Sequence, residues 1–166
     1  AVQGNGFFQV THPDGSIVYS RDGSFGLDST GQLVTQNGYL LDPAITIPSN
    51  TLSVTVGSDG TVSAMVAGNN APTEIGNITL AQFVNPTGLE AIGDNLYRET
   101  AASGTPQIDT PGANGTGTLI QGSLESSNVN VVEELVNMIE TQRAYEMNSK
   151  AISTTDDMLA YVSQAL

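Results

Sequence analysis

The chain has 166 residues, enough for one good core or two small ones, and its 39% hydrophobic content places it with folded rather than disordered proteins. Its 17 acidic residues against 4 basic ones give a formal net charge of -13, which disfavours nucleic acid and anionic lipid as partners, because both are bound through lysine and arginine. There are no cysteines, so disulfides, thiol catalysis and cysteine-built zinc sites are excluded.

The opening residues, "AVQGNGFFQV", read as the interior of a strand, and they carry no charged leader followed by an apolar run. The expectation is that the natural protein begins further upstream. From Gly6 to about Gln121, short apolar runs alternate with turn signals, the pattern of antiparallel hairpins. "FFQVTH" leads into "PDGS", "IVYSR" into "DGS", "FGLD" into "STGQ" and "LVTQ" into "NGYLL". Each turn places a glycine able to take positive φ behind an aspartate, asparagine or threonine that bonds its own backbone. "LSVTVGSDGTVSAMV" reads as a hairpin, with Val54 and Val56 on one strand and Val62, Ala64 and Val66 on the other. "EIGNITLAQF" and "NLYRET" read as further strands, and "NPTGLEAIGD" as the turn and connector between them. Residues 101–118, rich in glycine, proline, serine and threonine, read as a surface loop.

The character changes after residue 126, giving a β-rich unit over 1–126 and a helical one over 127–166. The fold class is therefore mainly β, antiparallel and hairpin-rich, with one long C-terminal α-helix. Asn130, three residues before Glu133, resembles a capping box and starts the helix near Val131. Apolar residues then recur at a step of seven: Val131, Met138, Tyr145, Ile152, Leu159 and Leu166. The adjoining seam of Leu135, Gln142, Ser149, Asp156 and Ser163 is mostly polar, while Val132, Val136, Ile139 and Met147 widen the apolar stripe. The poor helix formers of 153–157 mark a local weakness, yet the step of seven runs through them unshifted.

At 1.5 Å per residue such a helix reaches about 50 Å, longer than covering one side of a small core requires. Burying one of its large side chains is worth roughly 1.5–3 kcal/mol, so the face calls for other chains to cover it. The candidate assembly residues are Val131, Val132, Leu135, Met138, Ile139, Tyr145, Ile152, Leu159 and Leu166.

Catalytic chemistry finds few residues to work with. His12 is the only histidine and falls in a turn beside Pro13, leaving a serine nucleophile without a second candidate base. "GNGFF" lacks the third glycine and the following helix of a dinucleotide loop. Asp14, Asp22, Asp28 and Asp59 do not fit a calcium loop, and an aspartate before glycine is what a hairpin turn uses. No catalytic, cofactor or metal residues are assigned, and no enzyme activity is expected.

The residues do resemble a known family. "SNVNVVEELVNMIETQRAYEMNSKAISTTDDML" (127–159) is similar to the C-terminal segment of bacterial flagellar rod and hook proteins, and "GNGFFQV" with "YSRDGSFGLDSTGQLVTQNGYLL" to their β segment. "ITIPSNTLSVTVGSDGTVSA", "IGNITLAQFVNPTGLEAIGDNLYRETAASG" and "GTLIQGSLESSNVN" point within the family to its distal-rod members. The resemblance implies a structural subunit that self-assembles into a rigid helical tube, the drive shaft carrying motor torque to the hook. It implies a β outer domain and an axial coiled-coil core, in which the C-terminal helix packs against an N-terminal helix absent from this chain. The implied partners are other copies of itself, proximal rod proteins, hook protein and the surrounding ring (bushing) proteins, with no nucleic acid and no membrane insertion. The implied place is the periplasm-spanning rod of the basal body, after export without a cleavable signal peptide.

Two alternatives stay open. One is a proximal rod or hook component of the same axial family. The other is a secreted carbohydrate-binding β domain, which would need paired carboxylates and aromatic platforms that 4 phenylalanines, 5 tyrosines and no tryptophan supply poorly.

Overall fold

A computed structural model describes residues 1–68 and 71–164, with 161–164 described by their backbone alone. The chain forms two compact units, Ala1–Glu125 and Ser126–Leu166. In the first, the strand pairings described are all antiparallel. Its strands are β1 (Val2–Gln3), β2 (Phe8–Thr11), β3 (Ile17–Ser20), β4 (Gly26–Leu27), β5 (Leu33–Val34), β6 (Leu40–Asp42) and β7 (Thr51–Val56). There follow β8 (Thr61–Val66), β9 (Thr73–Asn77), β10 (Leu80–Gln82), β11 (Glu90–Gly93), β12 (Leu96–Arg98), β13 (Gln107–Asp109) and β14 (Thr118–Leu119). The second unit is one helix, α1 (Val131–Gln164).

A seven-stranded sheet runs in the order β11-β12-β3-β2-β6-β5-β4, and β7-β8-β9 form a three-stranded sheet. β1 pairs with β14 and β10 with β13. The centre of the large sheet is covered on both faces, which is why its strands do not alternate cleanly between apolar and polar residues. On one side Phe8, Val10, Val18 and Leu41 join Ile45, Val62, Ile78, Leu80, Leu96 and Leu119 in the main core. On the other, Tyr19 packs with Phe83 and Ala81 against Phe7 and Tyr97. The Tyr19 and Phe83 rings meet edge to face at 4.8 Å, a geometry that the opposed charges of ring edge and ring face favour. Gln9, opposite Tyr19, is buried on this second side and donates through Nε2 to the Thr79 hydroxyl at 3.2 Å.

The turns follow their local chemistry. Asp14 accepts from the Ser16 backbone N–H at 2.8 Å, Asp22 from Ser24 at 3.0 Å, Asp28 from Thr30 at 2.8 Å and Asp59 from Thr61 at 3.1 Å. In each case the hydroxyl of that serine or threonine donates to the same carboxylate. The aspartate two residues before a serine or threonine is thus a repeated turn device. Gly60, at φ +88°, shows why glycine accompanies it: a Cβ there would collide with the Ile78 carbonyl oxygen.

These hydrogen bonds favour the ionised carboxylates. They hold Asp14 down at about 2, chiefly through the Ser16 hydroxyl, and Asp22, Asp28 and Asp59 below the ordinary range through their own serine and threonine partners. A carboxylate more acidic in the folded than in the unfolded state adds stability above its unfolded pKa and loses it as pH falls through the folded one. The body is therefore expected to lose melting temperature from about pH 4 down to about pH 2. Replacing Asp14, Asp22, Asp28 and Asp59 by asparagine, which accepts the same bonds without titrating, flattens that acid limb in a melting series. An unchanged limb assigns it to other carboxylates.

Three readings of the sequence are revised. "EIGNITLAQF" divides into β9 and β10, which lie in different sheets. The connector "NPTGLEAIGD" contains a 3-10 turn, Pro86–Gly88, and the edge strand β11. The 101–118 loop supplies β13 and the first residue of β14, and it buries Ser103 and Thr116. β13 depends on a partner well back in the chain, β10, whereas β11 pairs with the next strand, β12, across the Asp94–Asn95 turn, and β12 in turn pairs with the distant β3.

Candidate assembly surface

α1 begins where its sequence says it should. Asn130 accepts from the Val132 N–H through Oδ1 at 3.2 Å, satisfying an amide that a helix start leaves open, and its carbonyl takes the first bond of the helix from the Glu134 N–H at 3.1 Å. Glu133 and Glu134 occupy the first turn, where the helix dipole favours negative charge. The weak stretch at 153–157 stays helical. Thr154 and Thr155 both donate their hydroxyls to the Ala151 carbonyl, at 2.9 and 2.8 Å, and so keep their side chains from competing for open backbone.

The residues singled out from the sequence are carried on this one element. Val131, Val132, Leu135, Met138, Ile139, Tyr145, Ile152 and Leu159 are all exposed, from 48% at Ile139 to 76% at Tyr145. Leu166 lies outside the described residues. A step of seven on an α-helix of 3.6 residues per turn drifts by about 20° per repeat, so the seam from Val131 to Leu159 winds around the helix.

Placed at about 100° per residue, the large apolar residues divide into two faces. Val131, Val132, Leu135, Val136, Met138 and Ile139 centre on one direction; Tyr145, Met147, Ile152, Met158 and Leu159 centre on another, roughly 160° away. Under-winding to 3.5 residues per turn still leaves the centres about 100° apart. Glu133, Glu134 and Glu140 point away from the first face, and Arg143, Glu146, Lys150 and Asp157 away from the second. On a straight helix the stripe therefore divides in two. The two faces succeed each other along the axis, with Asp156 at the edge of the second, and one straight partner helix does not cover both. Supercoiled at 3.5 residues per turn, Val131, Met138, Tyr145, Ile152 and Leu159 stay on one line.

The concavities of the body are of a different kind. A cavity of about 340 Å³ is lined by Phe25, Leu27, Leu33, Val54, Val56 and Leu119 among others, with no titratable side chain. A polar cleft of about 180 Å³ holds Asp22 and Asp94 but no aromatic residue. Asp22 is tied to Ser24 and held ionised, whereas a general acid needs its pKa raised. His12 is half-buried: its ring packs 5.1 Å from that of Tyr39, and Nδ1 lies 3.1 Å from the Asp14 carboxylate. Among the described residues, no group of three or more histidines, aspartates or glutamates is placed to hold a metal ion, and no helix is long and apolar enough to cross a membrane.

Arg21 was not singled out by the sequence, although it brings together more backbone than any residue that was. It donates to the carbonyls of Val2, Gly4 and Gly6 and, through Nε at 2.8 Å, to the Glu125 carboxylate. Its position between "YS" and "DGS" gives no hint of partners 104 residues away.

The fold and surface together define a class: a mainly β protein with one long C-terminal helix on which large apolar side chains are exposed. Residues 1–64 match the flagellar hook protein FlgE/F/G D1 domain, and residues 120–165 the C-terminal domain of flagellar basal body rod FlgEFG proteins. The chain belongs to the flagellar basal-body rod and hook family and within it is most like the distal rod protein FlgG.

It is 58% identical over 164 residues to the flagellar basal-body rod protein FlgG of Buchnera aphidicola subsp. Acyrthosiphon pisum, a match covering 99% of this chain and 63% of that protein. Against FlgG of Bacillus subtilis the identity is 43%, covering 96% of this chain and 61% of the relative. The flagellar hook protein FlgE of Escherichia coli is 41% identical over 125 residues, covering 75% of this chain but 29% of that protein. The chain thus spans somewhat under two thirds of the length of the rod proteins it matches.

Proposed function

We propose that the chain is the greater part of a structural subunit of the bacterial flagellar distal rod, which self-assembles into a rigid helical tube and transmits motor torque to the hook. The observation that carries this reading is the pair of apolar faces on α1. A helix with apolar side chains exposed on more than one side calls for more than one neighbour, and contacts between unlike surfaces that do not close into a ring generate an open helical assembly. Close-packed interfaces resist continuous deformation, which suits a shaft under torsion. In this reading 1–126 forms the outer β domain and 127–166 belongs to the axial coiled-coil core, where Val131, Val132, Leu135, Met138, Ile139, Tyr145, Ile152 and Leu159 carry assembly.

The axial neighbours are other copies, proximal rod proteins and hook protein, and the whole stands within the basal body across the periplasm. The acidic exterior turns within the surrounding ring proteins without tight adhesion, since few arginines and lysines are available to form charge-assisted contacts.

Sedimentation velocity on the chain alone, and on a version extended to the full length of its relatives, tests the reading. Polymerisation of the extended form supports the shaft. A monomer under all conditions, with α1 protected from hydrogen exchange, means that the chain covers its own apolar faces and removes the reading's physical basis.

A further inference from the structure

The seam between the first and last residues of the β body is held by a network with one side chain at its centre. β1 and β14 pair with Val2 opposite Leu119 and Gln3 opposite Thr118, and the Gly117 and Ile120 amides donate to the carbonyls of Asn5 and Ala1. These are few bonds for two-residue strands. Arg21, on the loop after β3, lies across them: Nη2 reaches the Val2 carbonyl at 3.3 Å, and Nη1 reaches those of Gly4 and Gly6 at 3.0 and 3.3 Å. The same guanidinium stands 5.8 Å from the centre of the Phe7 ring. Its remaining edge binds the carboxylate of Glu125, the last residue of the body before the segment that carries α1.

We infer that Arg21 is a positioning residue. It fastens Glu125 to the 2–6 segment, so that the α1-bearing segment leaves the body from a fixed point. The planar fork suits this because it serves four acceptors in different directions at once, which a lysine ammonium cannot do in one plane. The role rests on the shaft reading for its purpose: force passing between body and helix travels through the covalent chain at 126–130, and a frayed last segment would absorb twist before transmitting it. The fastening itself is independent of that reading.

The test uses the full-length protein with Arg21→Gln, Arg21→Lys, Glu125→Ala and wild type, followed by hydrogen exchange and by sedimentation velocity. Arg21→Gln is expected to speed exchange of the Gly117 and Ile120 amides about tenfold while β2 and β8 stay protected. Arg21→Lys, which retains the pairing with Glu125, is expected to recover part of that protection. Glu125→Ala, at an exposed position, is expected to leave the melting temperature unchanged but to slow polymerisation, a split that a contact serving only the body's stability does not produce. Exchange at Gly117 and Ile120 within twofold of wild type in both Arg21→Gln and Glu125→Ala overturns the inference. A wild-type protein that never polymerises counts against the shaft reading, while the exchange result still decides the fastening.

Discussion

Replacing Tyr145 and Ile152 together with aspartate is expected to abolish rod assembly by the full-length protein and to leave the β body folded. Both side chains lie on the second face of α1, are 76% and 65% exposed, and become buried only when a neighbour packs there. Their lost burial costs roughly 1.5–3 kcal/mol each, about 4 kcal/mol together, or on the order of a thousandfold in the association constant. Two carboxylates desolvated at the contact add to that. Because each subunit repeats the contact, the threshold concentration for polymerisation rises beyond the working range. Sedimentation velocity with electron microscopy reads assembly, and the melting curve of the body serves as the internal control. Normal rods from the double variant would remove this face from the interface. The matching Leu135→Asp, Ile139→Asp variant addresses the first face, and blocked assembly in both establishes that each is covered by a neighbour.

Leu80→Ala is expected to cost the body about 3–5 kcal/mol, the range for deleting a large side chain from a site that cannot collapse. Leu80 is fully buried and contributes to the main core from β10, which pairs with β13 and, through Ala81, bridges to Phe7. A Cβ on Gly6 would come within 3.1 Å of its side chain, so its surroundings are already closely fitted on that side. Against a total of about 5–15 kcal/mol for a domain, the loss is a large fraction. Urea titration of the body should show a lower midpoint with an unchanged slope, since the surface exposed on unfolding stays the same. Leu52→Ala is the control. That side chain is 71% exposed, and its loss is expected to stay within about 0.5 kcal/mol. Equal effects at the two positions would contradict the core described here.

The sequence by itself determined what depends on neighbours along the chain. The turn at Asp14–Gly15–Ser16 and its counterparts at Asp22, Asp28 and Asp59 are legible because a carboxylate, a backbone amide and a hydroxyl two residues on make the bond locally. The β7–β8 hairpin is legible for the same reason, with Val54 opposite Ala64 and Val56 opposite Val62 across a short turn. The helix from Val131 onward could be read from its cap and its spacing. Family membership was legible too, through long stretches that resemble rod and hook proteins in order.

Only the tertiary structure decided which distant segments meet. β11 and β13 were read as connector and loop because their own residues carry little strand pattern; β13 becomes a strand by pairing with β10, and β11 by forming a hairpin with β12, which itself pairs with the distant β3. The 101–118 stretch is rich in glycine and threonine, yet Thr116 is buried because its hydroxyl bonds the carbonyls of Thr110 and Ala113. The step of seven on α1 was legible in the sequence; on a straight helix of 34 residues the same side chains fall on two faces, and only the neighbours of the helix decide how they are covered. Arg21 was silent in the sequence because its importance is the sum of four acceptors brought together from residues 2–6 and 125. Local bonds are selected residue by residue, but a long-range contact exists only once the core has closed the intervening loop, and no short stretch of sequence records that closure.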